Sequence, residues 1–230
     1  MYQLHIANKN YSSWSLRPWV LMVSQGIAFE EHMAPFTPEG DASHFLRFSP
    51  TGKVPCLTVE DHTLWESLAI VEFLAERHKG VWPGDTWARA WARCASAEMH
   101  AGFTHLREMC SMNCGLRVHL HAYPDTLQRD VKRLDALWQE GLREFAGPFL
   151  AGAHFSAVDA FFAPMVFRVQ TYDLPLSERS QAYIHEMLQQ PAMQRWYGEA
   201  LQEKNRIRSY EAHALEVGSV WRDERVPITH

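Results

Sequence analysis

The chain has 230 residues, 47% of them hydrophobic, enough to bury one large core or two small ones and to exclude a disordered chain. A formal charge of −5 and a pI near 6.2 exclude the electrostatic footprint of a nucleic-acid partner, and no run of about 18 apolar residues exists to span a membrane. The opening MYQLHIANKN lacks the pattern of a signal peptide, and the four cysteines (Cys56, Cys94, Cys110 and Cys114) have no C-x-x-C spacing, so a reduced, cytoplasmic protein is expected.

Residues 2–6 (YQLHI) alternate in polarity and predict a short strand, and 7–14 are polar and irregular. A helix follows, with Leu16, Trp19, Val20 and Val23 at helical spacing, Pro18 placed in its first turn and Gly26 as its stop. Residues 27–34 predict a second strand, so the opening is β-α-β, with a parallel pair and a crossover helix. After a loop and short helix over 37–52, VPCLTV, a turn at Glu60-Asp61-His62, and TLW predict a hairpin. Ser67 opens a further helix with Ile70, Phe73 and Leu74 on one face, ended by Gly80. This order describes a small α/β domain over 1–80 with a four-stranded mixed sheet.

VWPGDT (81–86) contains Pro83 and Gly84 and predicts a linker. Beyond it no strand signal is visible. Residues 87–118 predict helix, broken near Asn113 and Gly115. Residues 125–146 place Leu127, Val131, Leu134, Trp138, Leu142 and Phe145 on one stripe. Residues 156–172 predict an apolar, central helix, and 177–189 and 191–204 two more, the last opened by Pro191. The second domain is therefore expected to be all-helical over 87–210. The tail, 211–230, is mixed, and either packs over the domain or frays.

Three pieces of the first domain can carry chemistry. Tyr11-Ser12-Ser13-Trp14-Ser15-Leu16-Arg17-Pro18 spans the junction between strand and helix. Unpaired N–H groups and the positive end of the helix dipole lie there, and a serine hydroxyl beside them can stabilise a bound thiolate; equally, the serines can serve as helix caps. Lys53-Val54-Pro55 precedes an apolar strand and is a candidate cis proline, which would turn the Val54 N–H and C=O outward to pair with an extended peptide ligand. Glu66-Ser67 at a helix start can hold both ends of an amino-acid zwitterion, or can cap the helix.

Together and in this order, these pieces resemble the N-terminal domain of glutathione S-transferases. S-S-W-S-L-R resembles the S-S-C-S-x-R motif of the zeta class. G-K-V-P-C-L and E-S-L-A-I-V-E-F-L resemble the family's x-V-P-x-L and [QE]-S-x-A-I-x-x-Y-L motifs. In the second domain Ser156-Ala157-Val158-Asp159 fits a capping box after Phe149-Leu150-Ala151-Gly152, similar to the family's central helix start, and both Ser156 and Asp159 are assigned to folding. The resemblance implies a thioredoxin-like domain followed by an all-helical one. It implies glutathione as cosubstrate, with Val54 and Pro55 on the cysteinyl backbone, Glu66 and Ser67 on the γ-glutamyl end, and Lys53 reaching the glycyl carboxylate.

The thiol would lie beside Ser12 or Ser13. Ser13 stands four residues before Arg17, as in theta-type enzymes, whereas zeta-type enzymes favour the first serine of the pair. The implied activity is conjugation, isomerisation or reduction of a small hydrophobic electrophile, as in detoxification, in a cleft lined by Tyr11, Trp14, Met109 and Met112. A homodimer is implied, and no metal, nucleic acid or membrane. Trp14 replaces the zeta-class cysteine, which argues against maleylacetoacetate isomerisation. The alternative is a non-catalytic glutathione-binding scaffold or regulatory protein of the same fold. Among other residues, His100 and His105 do not share a helix face, Cys110 and Cys114 are expected to be buried or half-buried thiols, and Arg89, Arg93 and Arg107 to be solvated, with Arg107 able to face the cleft.

Overall fold

In the computed structural model, residues 1–227 are described; Ile228, Thr229 and His230, the end of the C-terminal tail, lie outside the described residues. β1 (Tyr2–Ile6) runs parallel to β2 (Phe29–Met33) and antiparallel to β3 (Cys56–Val59), which pairs antiparallel with β4 (His62–Trp65), so the strand order is β2-β1-β3-β4. Leu4 and Ile6 of the central β1 are fully buried, with Leu4 opposite Leu57.

The crossover from β1 to β2 is α1 (Ser13–Ser24). Its stop is the expected Gly26, at φ +64°. The Gly26 N–H donates to the Val23 carbonyl and the Ile27 N–H to that of Met22, a paired C-terminal cap that needs the left-handed conformation glycine tolerates. Pro18 differs from expectation. Because the helix already starts at Ser13, Pro18 is its sixth residue, past the first turn, and the Trp14 carbonyl lacks its usual N–H donor. A short 3₁₀ turn, Ser43–Arg47, and α2 (Ser67–Ala75) complete this domain.

The second domain follows with α3 (Thr86–Ala101), α4 (Thr104–Met109), β5 (Leu116–Leu120), α5 (Asp125–Glu144), α6 (Ala157–Tyr172), α7 (Glu178–Gln189), α8 (Pro191–Gln202), α9 (Arg208–Val217) and β6 (Gly218–Asp223). Asp85 caps α3, accepting from the Trp87 and Ala88 N–H groups. The run 87–118 breaks first at Gly102 and Phe103, the latter at φ +56°, and again over 110–115, where the break near Asn113 and Gly115 was expected. The domain is helical, but with an addition the sequence reading lacks. β5 and β6 form an antiparallel ribbon, bulged between Arg117 and Val118. Each run is short, and only pairing across about a hundred residues of chain makes either a strand, so no local pattern announces them.

α6 is the centre of the molecule. It packs against α1, α3 and α7, and almost every side chain on it is buried. Each of Phe161, Phe162 and Phe167, all fully buried, contributes about 1.5–3 kcal/mol of apolar burial. The expected capping box forms at its start: Asp159 accepts from the Ser156 N–H at 3.0 Å, and also from the Leu150 N–H at 3.0 Å and the Tyr183 hydroxyl at 3.2 Å. Among the described residues no helix is long and apolar enough to cross a membrane.

Candidate functional site

The site is built around the loop from Asn8 to Ser13, and the second domain holds that loop. Asn10 is fully buried; its side chain donates to Asn113 Oδ1 at 2.9 Å and accepts from the Gly115 N–H at 3.1 Å. The Lys9 ammonium pairs with Glu31 at 2.7 Å and with Glu199, and the Lys9 carbonyl accepts from the Trp196 indole at 2.9 Å. Glu203 accepts from the backbone N–H groups of Lys9 and Asn10. The tail does pack over the domain: the Tyr11 hydroxyl donates to Glu211, and the Tyr210 ring lies 5.0 Å from that of Tyr11.

This loop delivers the two candidate serines differently. Ser12 is buried, and its hydroxyl pairs with that of Ser15 at 2.7 Å, which itself accepts from the Ala7 N–H at 3.2 Å. It makes no cap to α1, whose first-turn N–H groups receive no side-chain oxygen. Ser13 is half-buried, opens α1, and accepts from Arg168 Nη2 at 3.4 Å.

Three cavities meet here. One of about 290 Å³ is lined by Trp14, Thr51, Lys53, Val54, Pro55, Glu66 and Ser67. The Val54–Pro55 peptide is cis, and Val54 makes no backbone hydrogen bond among the described residues. The Ser67 hydroxyl is fully buried without a partner among the described residues, and Glu66, at φ +67°, presents its side chain to solvent beside His100, whose Nε2 lies 3.7 Å from the carboxylate. A second cavity, about 190 Å³, joins Lys53 and Val54 to Ser12, Ser13, Trp14 and Tyr210. The third, about 340 Å³, lies between the domains, with Tyr11, Ser13 and Trp14 on one wall and Arg107, Met112, Arg168 and Tyr210 on the other. A larger opening of about 500 Å³, at Leu142, Pro148 and Tyr183, shares no residue with these three.

All but one of the expected site residues are thus brought together. The exception is Met109: it does not line the interdomain cavity but, as the last residue of α4, packs against the core. Tyr11 contributes its ring only. Burial and the Glu211 carboxylate push its hydroxyl pKa up, and its proton is committed to Glu211. Cys94 is exposed, while the other three cysteines are buried.

A set of three arginines also gathers here; of these only Arg107 was expected to be able to face the cleft, and Arg168 was not singled out. Arg107 and Arg168 line the interdomain cavity, and Arg17 lies behind Trp14 with its guanidinium 3.9 Å from the ring centre. Burial, with the Arg107 and Arg168 charges, pushes the Arg17 pKa well down. The signal was available for Arg168, a lone cation in the apolar run AVDAFFAPMVFRVQTY. His100, set aside on spacing, stands edge-on to Trp14 at 5.1 Å, its pKa lowered by burial and by Arg17.

A thioredoxin-like sheet whose first helix start faces a cis-proline loop, closed by a helical domain that shapes a second cavity, defines a class of thiol-peptide-dependent proteins. The chain belongs to the glutathione S-transferase family: residues 11–77 match the model of its N-terminal domain and 118–199 that of its C-terminal domain. A probable maleylacetoacetate isomerase of Caenorhabditis elegans is 26% identical over 170 residues, 72% of this chain and 78% of that protein. Among solved structures, the unclassified glutathione S-transferase 2 of Bombyx mori superposes with a TM-score of 0.70 at 18% identity, covering 95% of this chain and 99% of that one. A glutathione transferase homologue from Burkholderia with bound glutathione gives 0.65 at 21% identity, over 86% and 97%.

Proposed function

We propose that the protein is a glutathione-dependent transferase or isomerase in which Ser13 stabilises the glutathione thiolate. The observation that carries this reading is the place of Ser13. It is the first residue of α1, and its side chain borders both the cavity of Val54 and the cavity between the domains. A tripeptide held along Lys53, Val54 and Pro55, with its γ-glutamyl end at Glu66 and Ser67, brings its sulfur to that hydroxyl. The unpaired Ser67 hydroxyl and the free Val54 backbone are then the partners such a ligand needs.

At Ser13 the sulfur meets a hydroxyl donor and the uncapped N–H groups of a helix start, which favour the anion before any electrophile arrives. The electrophile occupies the interdomain cavity, against Trp14, Met112 and Tyr210. Its walls also carry Thr104, Ser111 and two arginines, so the acceptor need not be wholly apolar. The reading includes a homodimer in the cytoplasm, with the exposed Leu46 and Trp65 as apolar surface for a second copy to cover. Sedimentation equilibrium giving only a 26.6 kDa species would remove the dimer.

Ultraviolet titration of bound glutathione tests the mechanism. The thiol should ionise well below its free value of about 8.5. Binding without that fall would leave a glutathione-binding protein without an activated thiol, and the enzyme reading would fail.

A further inference from the structure

Ser13 and Trp14 are surrounded by guanidinium groups with which no carboxylate forms an ion pair among the described residues, although Glu66 lies toward Arg17 and Glu108 lines the same cavity as Arg107 and Arg168. Arg17 and Arg107 approach the Trp14 ring centre at 3.9 and 4.8 Å, and Arg168 Nη2 donates to Ser13 Oγ at 3.4 Å. Buried cations elsewhere are paired: Lys9 with Glu31 at 2.7 Å, Arg225 with Glu211 at 2.6 Å. Burying a cation without a counter-charge is costly, so an unpaired guanidinium beside a half-buried hydroxyl marks a place kept for an anion.

Arg168 is the best fixed of the three. Its Nη1 donates to the carbonyls of Arg107, at 3.0 Å, and Cys110, which clamps the guanidinium plane. Nη2 is then directed at Ser13, while Nε has no partner among the described residues. A hydroxyl has one proton and two lone pairs. With an N–H occupying a lone pair, the Ser13 proton is free to turn toward the cavity, and a charged donor on its oxygen makes it the stronger donor in turn.

The groups facing Arg168 are Arg107 on α4 and Cys110 just after it, Tyr172 on its own helix, Tyr210 on α9, and Ser13 and Arg17 on α1. None supplies a carboxylate. Burial pushes the Arg168 pKa down, to about 10, so it keeps its charge at neutral pH.

We infer that Arg168 is a positioning residue of the thiolate site, acting through Ser13 to aim and strengthen the hydrogen bond that the sulfur receives. This rests on the glutathione reading given above. The step it assists is ionisation alone: the thiol S–H breaks, the proton leaves to solvent, the electron pair stays on sulfur, and no bond forms to Arg168.

The test is ultraviolet titration of bound glutathione in the wild type, Arg168→Gln, Ser13→Ala and the double variant. Arg168→Gln should raise the pKa of the bound thiol by about one unit and lower the thiolate fraction at neutral pH accordingly. Binding of S-methylglutathione, which has no thiol, should be unchanged, and adding Ser13→Ala to Arg168→Gln should lower the fraction little further. A residue that merely ties down the end of α4 would cost thermal stability and leave the thiol where it was; that result overturns the inference.

Should Arg168→Gln fail to fold, a crystal of the wild type with glutathione decides. Ser13 Oγ within about 3.2 Å of the sulfur, with Arg168 Nη2 still within about 3.5 Å of that oxygen, supports the inference, and loss of either contact overturns it. A wild-type thiol with no lowered pKa would defeat the enzyme reading itself. A lowered one that Arg168→Gln does not move defeats only the role of Arg168.

Discussion

The Tyr11 hydroxyl donates to Glu211 Oε1 at 2.7 Å, joining residues 200 positions apart, and the same carboxylate takes both terminal nitrogens of Arg225, at 2.6 and 2.8 Å. Asn113 adds a fourth donor at 3.1 Å. This cluster fixes the loop that carries Ser13 to α9 and to the chain just after β6.

Its parts should differ in weight. Tyr11→Phe removes one donor from a carboxylate that keeps its cation and should cost about 1.5 kcal/mol. Arg225→Leu leaves Glu211 without a counter-charge and should cost about 3 kcal/mol or more. Urea midpoints compare them, and equal costs would show that Glu211 is not held as an ion pair. Burial alone would raise the Glu211 pKa, but Arg225 and Tyr11 bring it below its ordinary value. The contribution is therefore complete above that ordinary value and is lost as pH falls through the lowered one. Arg225→Leu should lose least, relative to the wild type, at acid pH.

The two serines should separate cleanly. Ser13→Ala should lower turnover of a generic electrophile about a hundredfold, as loss of one preorganised donor does, and raise the pKa of the bound thiol. Ser12→Ala should leave the thiol in place and cost about 1 kcal/mol of stability through the lost bond to Ser15. The reverse pattern would move the thiol to Ser12.

Ser67→Ala offers a contrast between folding and binding. The hydroxyl is buried and has no partner among the described residues, so removing it should leave thermal stability unchanged or slightly higher. Glutathione affinity should fall about tenfold if the hydroxyl meets the γ-glutamyl carboxylate. Isothermal titration with S-methylglutathione measures this directly, and an unchanged affinity would place that carboxylate elsewhere.

Asp159 should reveal itself through pH. Burial raises its pKa from 3.8 to about 6, against the hydrogen bonds from Leu150, Ser156 and Tyr183. Because the folded value lies above the unfolded one, the folded state favours the protonated carboxyl. That stabilisation is full below the unfolded value and is lost as pH rises from 3.8 to about 6. Asp159→Asn, which mimics the neutral acid, should gain on the wild type across this window by about 1.4 kcal/mol per unit of pKa difference. A flat difference between the two proteins would mean that Asp159 ionises as readily folded as unfolded.

Much of this was legible in the chain. The β-α-β opening, the hairpin at Val54–Trp65 and the amphipathic α5 follow from period and from turn residues, because each is decided by neighbours in sequence. Val54, Glu66 and Ser67 were singled out because the chemistry proposed for them depends on short spacings. Local patterns do not encode the rest. The ribbon of β5 and β6 exists only by long-range pairing, and although Arg168 stands out as a lone cation in an apolar run, only the packing of α6 against α1 brings its guanidinium to Ser13. The proposal of Ser13 rather than Ser12 likewise rests on where α1 begins, which Pro18 obscured.

The clamp on the Asn8–Ser13 loop also has a consequence for how the protein is made. Synthesis runs from the N-terminus, and an N-terminal domain can ordinarily fold as soon as it emerges. Here Arg225, one of the loop's partners, is joined 214 residues after Tyr11. A nascent chain can therefore form its sheet early, but the loop that presents Ser13 acquires its full set of supports only once Arg225 has been added and has left the ribosome.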